Sequence, residues 1–334
     1  MNTDIDFVIP WVDGSDPAWN KERNKWRTKE TGVTLPEWND DVSRYRDWGL
    51  LKYWFRGVEE FAPWVRKVFF ITCNQIPDWL NTNDSRLVCI DHKDYIPSQY
   101  LPTFSSHCIE LNMHRISGLS EQFVYFNDDM FITRPVKPED FFYKGLPKDA
   151  AIMKPVRMQQ NGIRAEINNL YAINEKFSMA KSVFSNPTKW INPIYGPKLF
   201  STFLMLPYNI FSGFYICHLP QAYLKGTYDD IWKTYPEILD RTCQHRFRDV
   251  TDVNQWLAQY WQFATGRFEP RSPRIGKTYE GVDQFDQMCE AVRAQKYKLI
   301  CCNDSVDIDD YDKRKRQIND SFERILGKKS GFEK

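Results

Sequence analysis

Apolar residues run almost unbroken through residues 7–12, 67–72, 86–91 and 122–126. A strand that is hydrophobic at every position has no face left for water, so each run predicts a strand of a parallel or mixed sheet covered on both sides. Between them the period changes. In residues 42–61, Leu50, Leu51, Trp54, Val58 and Phe61 fall three or four apart, which puts them on one face of a helix. Residues 105–116 predict another helix, with Ser105 placed to cap it. Further helices are expected at 165–184, 229–240, 253–264 and 312–326, and strands near 151–154 and 298–301. This alternation predicts an α/β fold: a mixed, mostly parallel Rossmann-like sheet flanked by helices, with a helix-rich second half. The Pro- and Asn-rich stretches 186–197 and 267–278 read as surface loops.

One hydrophobic stretch stands apart. Residues 199–220 contain no Asp, Glu, Lys or Arg and are long enough to cross a bilayer. Pro207, Asn209, Ser212, Gly213 and His218 interrupt them, so they predict buried core elements with a turn between. Residues 312–334 are basic and partly amphipathic; a solvated terminal helix is expected there, with a membrane-surface contact as the functional alternative.

Composition adds bounds. The 334 residues, 42% hydrophobic and 16% aromatic, supply ample material for a core. A net charge of +1 gives no overall field for nucleic acid, so any anion site must be a local cluster of Arg and Lys. Eight cysteines form no C-x-x-C pair, and adjacent Cys301 and Cys302 suit neither a normal disulfide nor zinc spacing. They read as reduced thiols. The opening MNTDIDFVIPWVDG lacks a basic leader followed by an apolar core, and the two features together point to a reducing cytoplasm.

Candidate chemistry collects where strands end, since ligands of open α/β sheets bind beyond the carboxyl ends of the strands. Asn127, Asp128 and Asp129 follow the run 122–126 directly. Adjacent carboxylates there suit a shared hard cation, Mg²⁺ or Mn²⁺, although an Asn/Asp turn capping the strand would look the same. Trp11, Val12, Asp13 and Gly14 repeat the arrangement, with Trp11 able to stack on a base or sugar and Gly14 permitting close backbone approach. Asn303 and Asp304 end a third strand and could complete an oxygen shell. In the predicted helix 105–116, His107, Glu110 and His114 share a face, open to a zinc reading. The other reading makes Glu110 a base or hydrogen-bond acceptor and Arg115 a phosphate contact. His218 stands alone in ICHLP; His245, Arg246, Phe247 and Arg248, followed by Asp252, put two guanidinium forks side by side.

The blocks DIDFVIPWVDGSDP, RYRDWGLLKYWFRGVEEFAPWVRKVFFITCNQIPDWLN to LPTFSSHCIELNMHRISGLSEQFVYFNDDMF, CHLPQAYLKG to QHRFRDVTD, and LICCNDS resemble, in this order, the Stealth family of sugar-1-phosphate transferases. These are bacterial capsular-polysaccharide enzymes similar to the animal GlcNAc-1-phosphotransferase. The resemblance implies a GT-A-like sheet and one catalytic domain over residues 1–311, followed by the basic tail 312–334. It implies transfer of a sugar 1-phosphate from a nucleotide sugar, a UDP-sugar above all, to a saccharide hydroxyl; a conventional metal-dependent glycosyltransferase is the alternative. By the same resemblance the Trp11 to Gly14 loop binds the donor with Arg115 and Arg246. Asp128, Asp129, Asn303 and Asp304 serve Mg²⁺ or Mn²⁺. Asp129 and Arg248 act in catalysis, and Glu110 or His218 is the acid/base. The first block reads IPWVDG where many relatives have a YTWVDG-like sequence. The expected site of action is the cytoplasm, at the inner membrane face if the tail touches it.

Overall fold

The computed structural model describes residues 4–30, 46–156, 163–304 and 309–334. Its strands are Ile5–Pro10 (β1), Val68–Thr72 (β2), Leu87–Asp91 (β3), Gln122–Tyr125 (β4), Met130–Ile132 (β5), Phe142–Tyr143 (β6), Leu146–Asp149 (β7), Gln221–Leu224 (β8), Glu269–Pro270 (β9), Gly276–Tyr279 (β10) and Leu299–Cys302 (β11). The main sheet has the order β3-β2-β1-β4-β8. Its first four strands are parallel and β8 runs antiparallel to β4. This is the mixed, mostly parallel sheet that the apolar runs predict. Every residue of β2 and β4 is buried. The one acid inside β1, Asp6, is fully buried and compensated: it accepts from Arg66 Nε at 2.9 Å and from the Ser120 amide at 2.8 Å.

Two aromatic-rich cores cover the sheet. On one face the helix Leu51–Phe61 packs with β5, β11 and the helices Phe285–Arg293 and Tyr311–Ile325; on the other lie the helices Ser106–Leu111, Ile163–Lys176 and Trp256–Ala264. A smaller sheet, β10-β11-β5, joins the first core, and β6-β7-β9 forms a third. Helix Leu51–Phe61 lies so close to β5 that a Cβ on Gly57 would stand 2.9 Å from the Ile132 carbonyl oxygen. Glycine is what lets the helix and the strand approach.

Several boundaries differ from the periodicity for local reasons. Helix 42–61 begins only at Leu51; residues 42–45 lie outside the described residues, and Gly49 at φ +70° with its amide on Asp47 Oδ1 turns the chain first. Pro236 opens a new helix, so 229–240 divides into Lys225–Thr234 and Pro236–Gln244. Ser178 caps a second helix at Met179, dividing 165–184. The stretch 267–278 supplies β9 and part of β10, and near residue 152 only a single bridge, Met153 to Phe214, forms.

Residues 199–210 are not buried core. In helix Leu199–Met205 the polar Thr202 faces inward, its Oγ1 accepting the Met153 amide at 3.0 Å, which turns Phe200, Phe203 and Leu204 outward. At the other end of the chain, helix Tyr311–Ile325 buries Ile318 and Phe322, and the last residues return to the core: Phe332 is fully buried and Glu333 takes a two-pronged bond from Arg56, both at 2.8 Å.

Gly57→Ala should lower the free energy of unfolding by about 1–3 kcal/mol, because Ile132 is backbone and must shift. Denaturant titration measures this, and an unchanged midpoint would show that β5 yields freely.

Candidate active site

The site is built by two changes of strand direction. β4 ends at Tyr125, paired with Gln221, the first residue of antiparallel β8. The residues just before β8 therefore lie at the carboxyl end of β4, and His218 is among them. Asn127 Nδ2 donates to His218 Nε2 at 2.9 Å. After Asp129 the chain enters β5, which leaves the main sheet and pairs antiparallel to β11, Met130 opposite Cys301. The Cys302 amide donates to the Asp129 carbonyl at 2.8 Å. That pairing puts Cys301 Sγ 3.3 Å from Asp129 Oδ2 and 3.4 Å from His218 Nδ1, and His218 Nδ1 3.9 Å from Asp129 Oδ2.

Asn127, Asp128, Asp129 and His218 share a cleft of about 480 Å³ with Trp11, Val12, Glu110, Arg248, Asn303 and Asp304. A smaller recess of about 160 Å³, lined also by Arg46, Asp47 and Trp48, meets it across Trp11, Val12, Asp128, Asp129, Asn303 and Asp304. The acidic loop thus forms the divide between two compartments, and Arg46 reaches Asp304 Oδ1 at 3.4 Å. Glu110 is buried in the cleft wall, accepting the Tyr125 hydroxyl at 2.8 Å through Oε1, while Oε2 has no hydrogen-bond partner. Arg248 reaches the start of the helix that carries Glu110 and donates to Ser106 Oγ at 2.6 Å.

Oxygens without partners mark the acidic loop. Asp129 Oδ1 and Asn127 Oδ1 are both buried and without a hydrogen bond. Asp128 is open to solvent but stands in the concave floor of the cleft; loss of hydration there, then the adjacent Asp129 carboxylate, push its carboxyl up to about 7. Hard oxygens held close together and under-compensated are a donor set suited to a divalent cation. Burial and the same Asp129 charge push the Cys301 thiol far up, so it stays protonated as a donor.

Not every expected residue arrives. Asp13 turns back on its own loop, its Oδ1 accepting from the Ser15 amide at 2.8 Å and hydroxyl at 2.6 Å, and the Gly14 carbonyl accepts from Asn20 Nδ2 at 2.7 Å. Only Trp11 and Val12 of that loop line the cleft. Arg115 is exposed elsewhere: helix Ser106–Leu111 ends where Asn112 Nδ2 bonds the Cys108 carbonyl, and Arg115 then lies over the Trp232 ring, 4.8 Å from its centroid. Arg246 stacks on Trp26 at 4.2 Å, beside the cleft but not lining it. The same early helix end scatters the zinc trio, with His114 against Tyr228 and His107 turned to Asp252.

Asp252 is the residue whose importance the sequence hides. Fully buried, it accepts from His107 Nδ1 at 2.9 Å, His245 Nδ1 at 2.7 Å and the Asp249 amide at 2.9 Å. It ties the HRFRD loop to the helix that carries Glu110 and so fixes Arg248. Burial opposes its charge, yet the bonds from His107 and His245 hold its carboxyl below the ordinary range; the bond to Asp252 in turn raises His245. The Asp spaced behind HRFR was the only signal for this in the sequence.

Two regions of the chain match family models: residues 3–31 match Stealth protein conserved region 1 and residues 44–149 match Stealth protein conserved region 2. Over its full length the chain is 40% identical to the capsular polysaccharide phosphotransferase WcwK of Streptococcus pneumoniae, covering 99% of this chain and 98% of that one. It is 38% identical to the exopolysaccharide phosphotransferase cps2G of Lactiplantibacillus plantarum (99% and 96%) and 37% identical to the receptor polysaccharide phosphotransferase WefC of Streptococcus oralis (98% and 99%). Among solved structures, the galactosyltransferase LgtC in complex with donor and acceptor sugar analogs superposes at a TM-score of 0.39 and 9% identity, over 94% of this chain and 95% of that one, too loosely for comparison of residues.

Asp252→Asn should cost roughly 2–4 kcal/mol of stability. The raised His245 contributes stability that is complete below its unfolded value and is lost as pH rises through its folded one; the depressed Asp252 contributes above its unfolded value and loses it at acid pH. The gap between the two proteins should therefore be widest from pH 3.8 to 6.5, the two unfolded values, and narrow on either side. Asp128 has the opposite sign: with its carboxyl raised from 3.8 to about 7, stability falls as pH rises between those values. In cation-free buffer Asp128→Asn should thus melt higher than the parent at pH 8 and equally at low pH; solvent screening keeps the gain to about one degree. Calorimetry across pH checks both.

Proposed function

The chain belongs to the Stealth family, and from that premise we propose that it transfers a sugar 1-phosphate from a nucleoside-diphosphate sugar to a saccharide hydroxyl in capsule or exopolysaccharide synthesis. The acceptor oxygen attacks the sugar-bearing phosphorus, the bond to the bridging diphosphate oxygen breaks, and a phosphodiester and a nucleoside monophosphate result. The observation that supports this is the convergence, in one cleft, of acids, a guanidinium and an imidazole from five segments of the chain. Such transfer depends on alignment and on neutralising phosphoryl oxygens, and little else. A UDP-sugar is the donor of choice, and the cytoplasm the expected compartment.

Asp128, Asp129, Asn303 and Asp304 are the residues that would hold Mg²⁺ or Mn²⁺, whose charge would offset that of the diphosphate. Asp129 divides its work between its oxygens. Oδ2 takes the Cys301 thiol and faces His218 Nδ1, while Oδ1 is left without a partner for the cation. With Nδ1 protonated toward Asp129, the lone pair of His218 is on Nε2, where Asn127 now donates. An acceptor hydroxyl taking the place of that amide gives its proton to Nε2, with Asp129 steadying the imidazolium. Glu110 Oε2 accepts from a second substrate hydroxyl, Arg248 holds phosphate oxygens, and Trp11 offers a ring face to the nucleoside or sugar.

Incubation with a panel of nucleotide sugars and a saccharide acceptor, followed by mass spectrometry, should show nucleoside monophosphate as the released product; nucleoside diphosphate would refute the reading. His218→Ala should lower kcat by about 10²- to 10⁴-fold and remove the limb on which the rate falls as pH drops. If Glu110→Gln removes that limb and His218→Ala does not, the base is Glu110.

A further inference from the structure

Of the ten large hydrophobic side chains exposed among the described residues, eight lie between residues 171 and 210: Tyr171, Phe184, Ile194, Phe200, Phe203, Leu204, Tyr208 and Ile210. The segments that carry Tyr171, Phe184 and Tyr208 meet in space. Asn174 exchanges two hydrogen bonds with the backbone of Phe211, and the Ala180 amide donates to Asn209 Oδ1, so the ends of helices Ile163–Lys176 and Met179–Ser185 abut the Tyr208 to Phe211 turn. Phe200, Phe203 and Leu204 fall three and four apart on one outward face of helix Leu199–Met205. Phe200 is 66% exposed and Tyr208 likewise 66%, a cost in water that no intramolecular contact offsets.

Exposed Glu175 sits at the Tyr171 end of this ridge, but beyond it the charge has one sign. Between residues 176 and 224 there are four lysines, Lys176, Lys181, Lys189 and Lys198, and not one Asp or Glu, in a chain that otherwise balances 45 basic against 44 acidic residues. Lys189 is taken by Glu269 at 3.2 Å; Lys176, Lys181 and Lys198 are exposed beside the apolar side chains. Among the described residues, no helix is long and apolar enough to cross a membrane. An aromatic ridge bordered by lysine is the pattern of a surface that lies in a bilayer interface, burying rings at headgroup depth while ammonium groups meet anionic lipid. A second copy of the chain fits less well, because two-fold pairing would set lysine against lysine.

We infer that the ridge formed by Phe200, Phe203, Leu204, Tyr208 and Ile210 docks the enzyme on an anionic lipid surface. The docking face is this ridge and not the basic C-terminus, whose final residues are held in the fold by Arg56 and by the backbone pairing of Asn81 with Phe332. The inference stands whether or not the assignment of chemical roles in the cleft is right.

Full-length protein should sediment with vesicles of equal parts phosphatidylcholine and phosphatidylglycerol, weakly with phosphatidylcholine alone, and less as salt is raised. The combined variant Phe200→Ser, Phe203→Ser, Leu204→Ser should partition at least about tenfold less, with an unchanged melting temperature and unchanged transfer to a soluble acceptor. Lys176→Glu with Lys181→Glu should weaken binding to the anionic vesicles alone. Failure of the parent protein to bind anionic vesicles overturns the inference, as does undiminished binding by the triple serine variant. So does a parent dimer that the serine variant converts to monomer without any vesicle binding, which would assign the ridge to self-association.

Discussion

The antiparallel pairing of β8 with β4 is the contact on which the site depends. A parallel neighbour would put the start of β8 at the far edge of the sheet, with His218 a strand's length from Asn127. Reversal puts it beside Asn127 instead, and the departure of β5 into a second sheet does the same for Cys301 and Asn303. The acidic loop is thus the corner at which the chain passes from one sheet to another. Its polar character follows from its neighbours: β4 is buried along its whole length, so the first residues able to meet solvent or ligand are those just past its end.

That corner carries electrostatic stress. Two carboxyls are adjacent, one is pushed to about 7, and two buried oxygens lack partners. Arrangements of this kind oppose folding and persist because the surrounding structure holds them, here through Cys301, the Cys302 amide and the Asn127–His218 bond. The buried Asp252 cluster is its counterpart in the opposite wall. There two imidazoles bond one carboxylate, and the result is a rigid mount for Arg248 instead of a strained corner.

The sequence revealed what local periodicity encodes. Continuous apolar runs identified the parallel strands, and polar residues placed just beyond them identified Trp11, Asp128, Asp129 and Asn303 as cleft residues. Glu110, His218 and Arg248 came from family resemblance and residue type, because nothing local says that β8 reverses or that the HRFRD loop folds over Ser106. Arg115 shows the limit most clearly. It was expected to hold a phosphate, but Asn112 competes for the Cys108 carbonyl and ends the helix a turn early, and Arg115 lies over Trp232 instead. Outward-facing Phe200 and Phe203 were hidden for a related reason: hydrophobicity forecasts burial, and only the bond from Met153 to Thr202 shows which side of that helix is held inward.

β11 has a temporal consequence. It supplies the strand against which Asp129 is fixed, yet it begins only at Leu299, long after β4 and β5 in chain order. During synthesis the N-terminal strands can assemble early, but the acidic corner has no edge to pair with until Cys301, 172 positions beyond Asp129, has been made. Chains that stop short of β11 therefore hold the first half of the pocket with its acidic corner still unpaired.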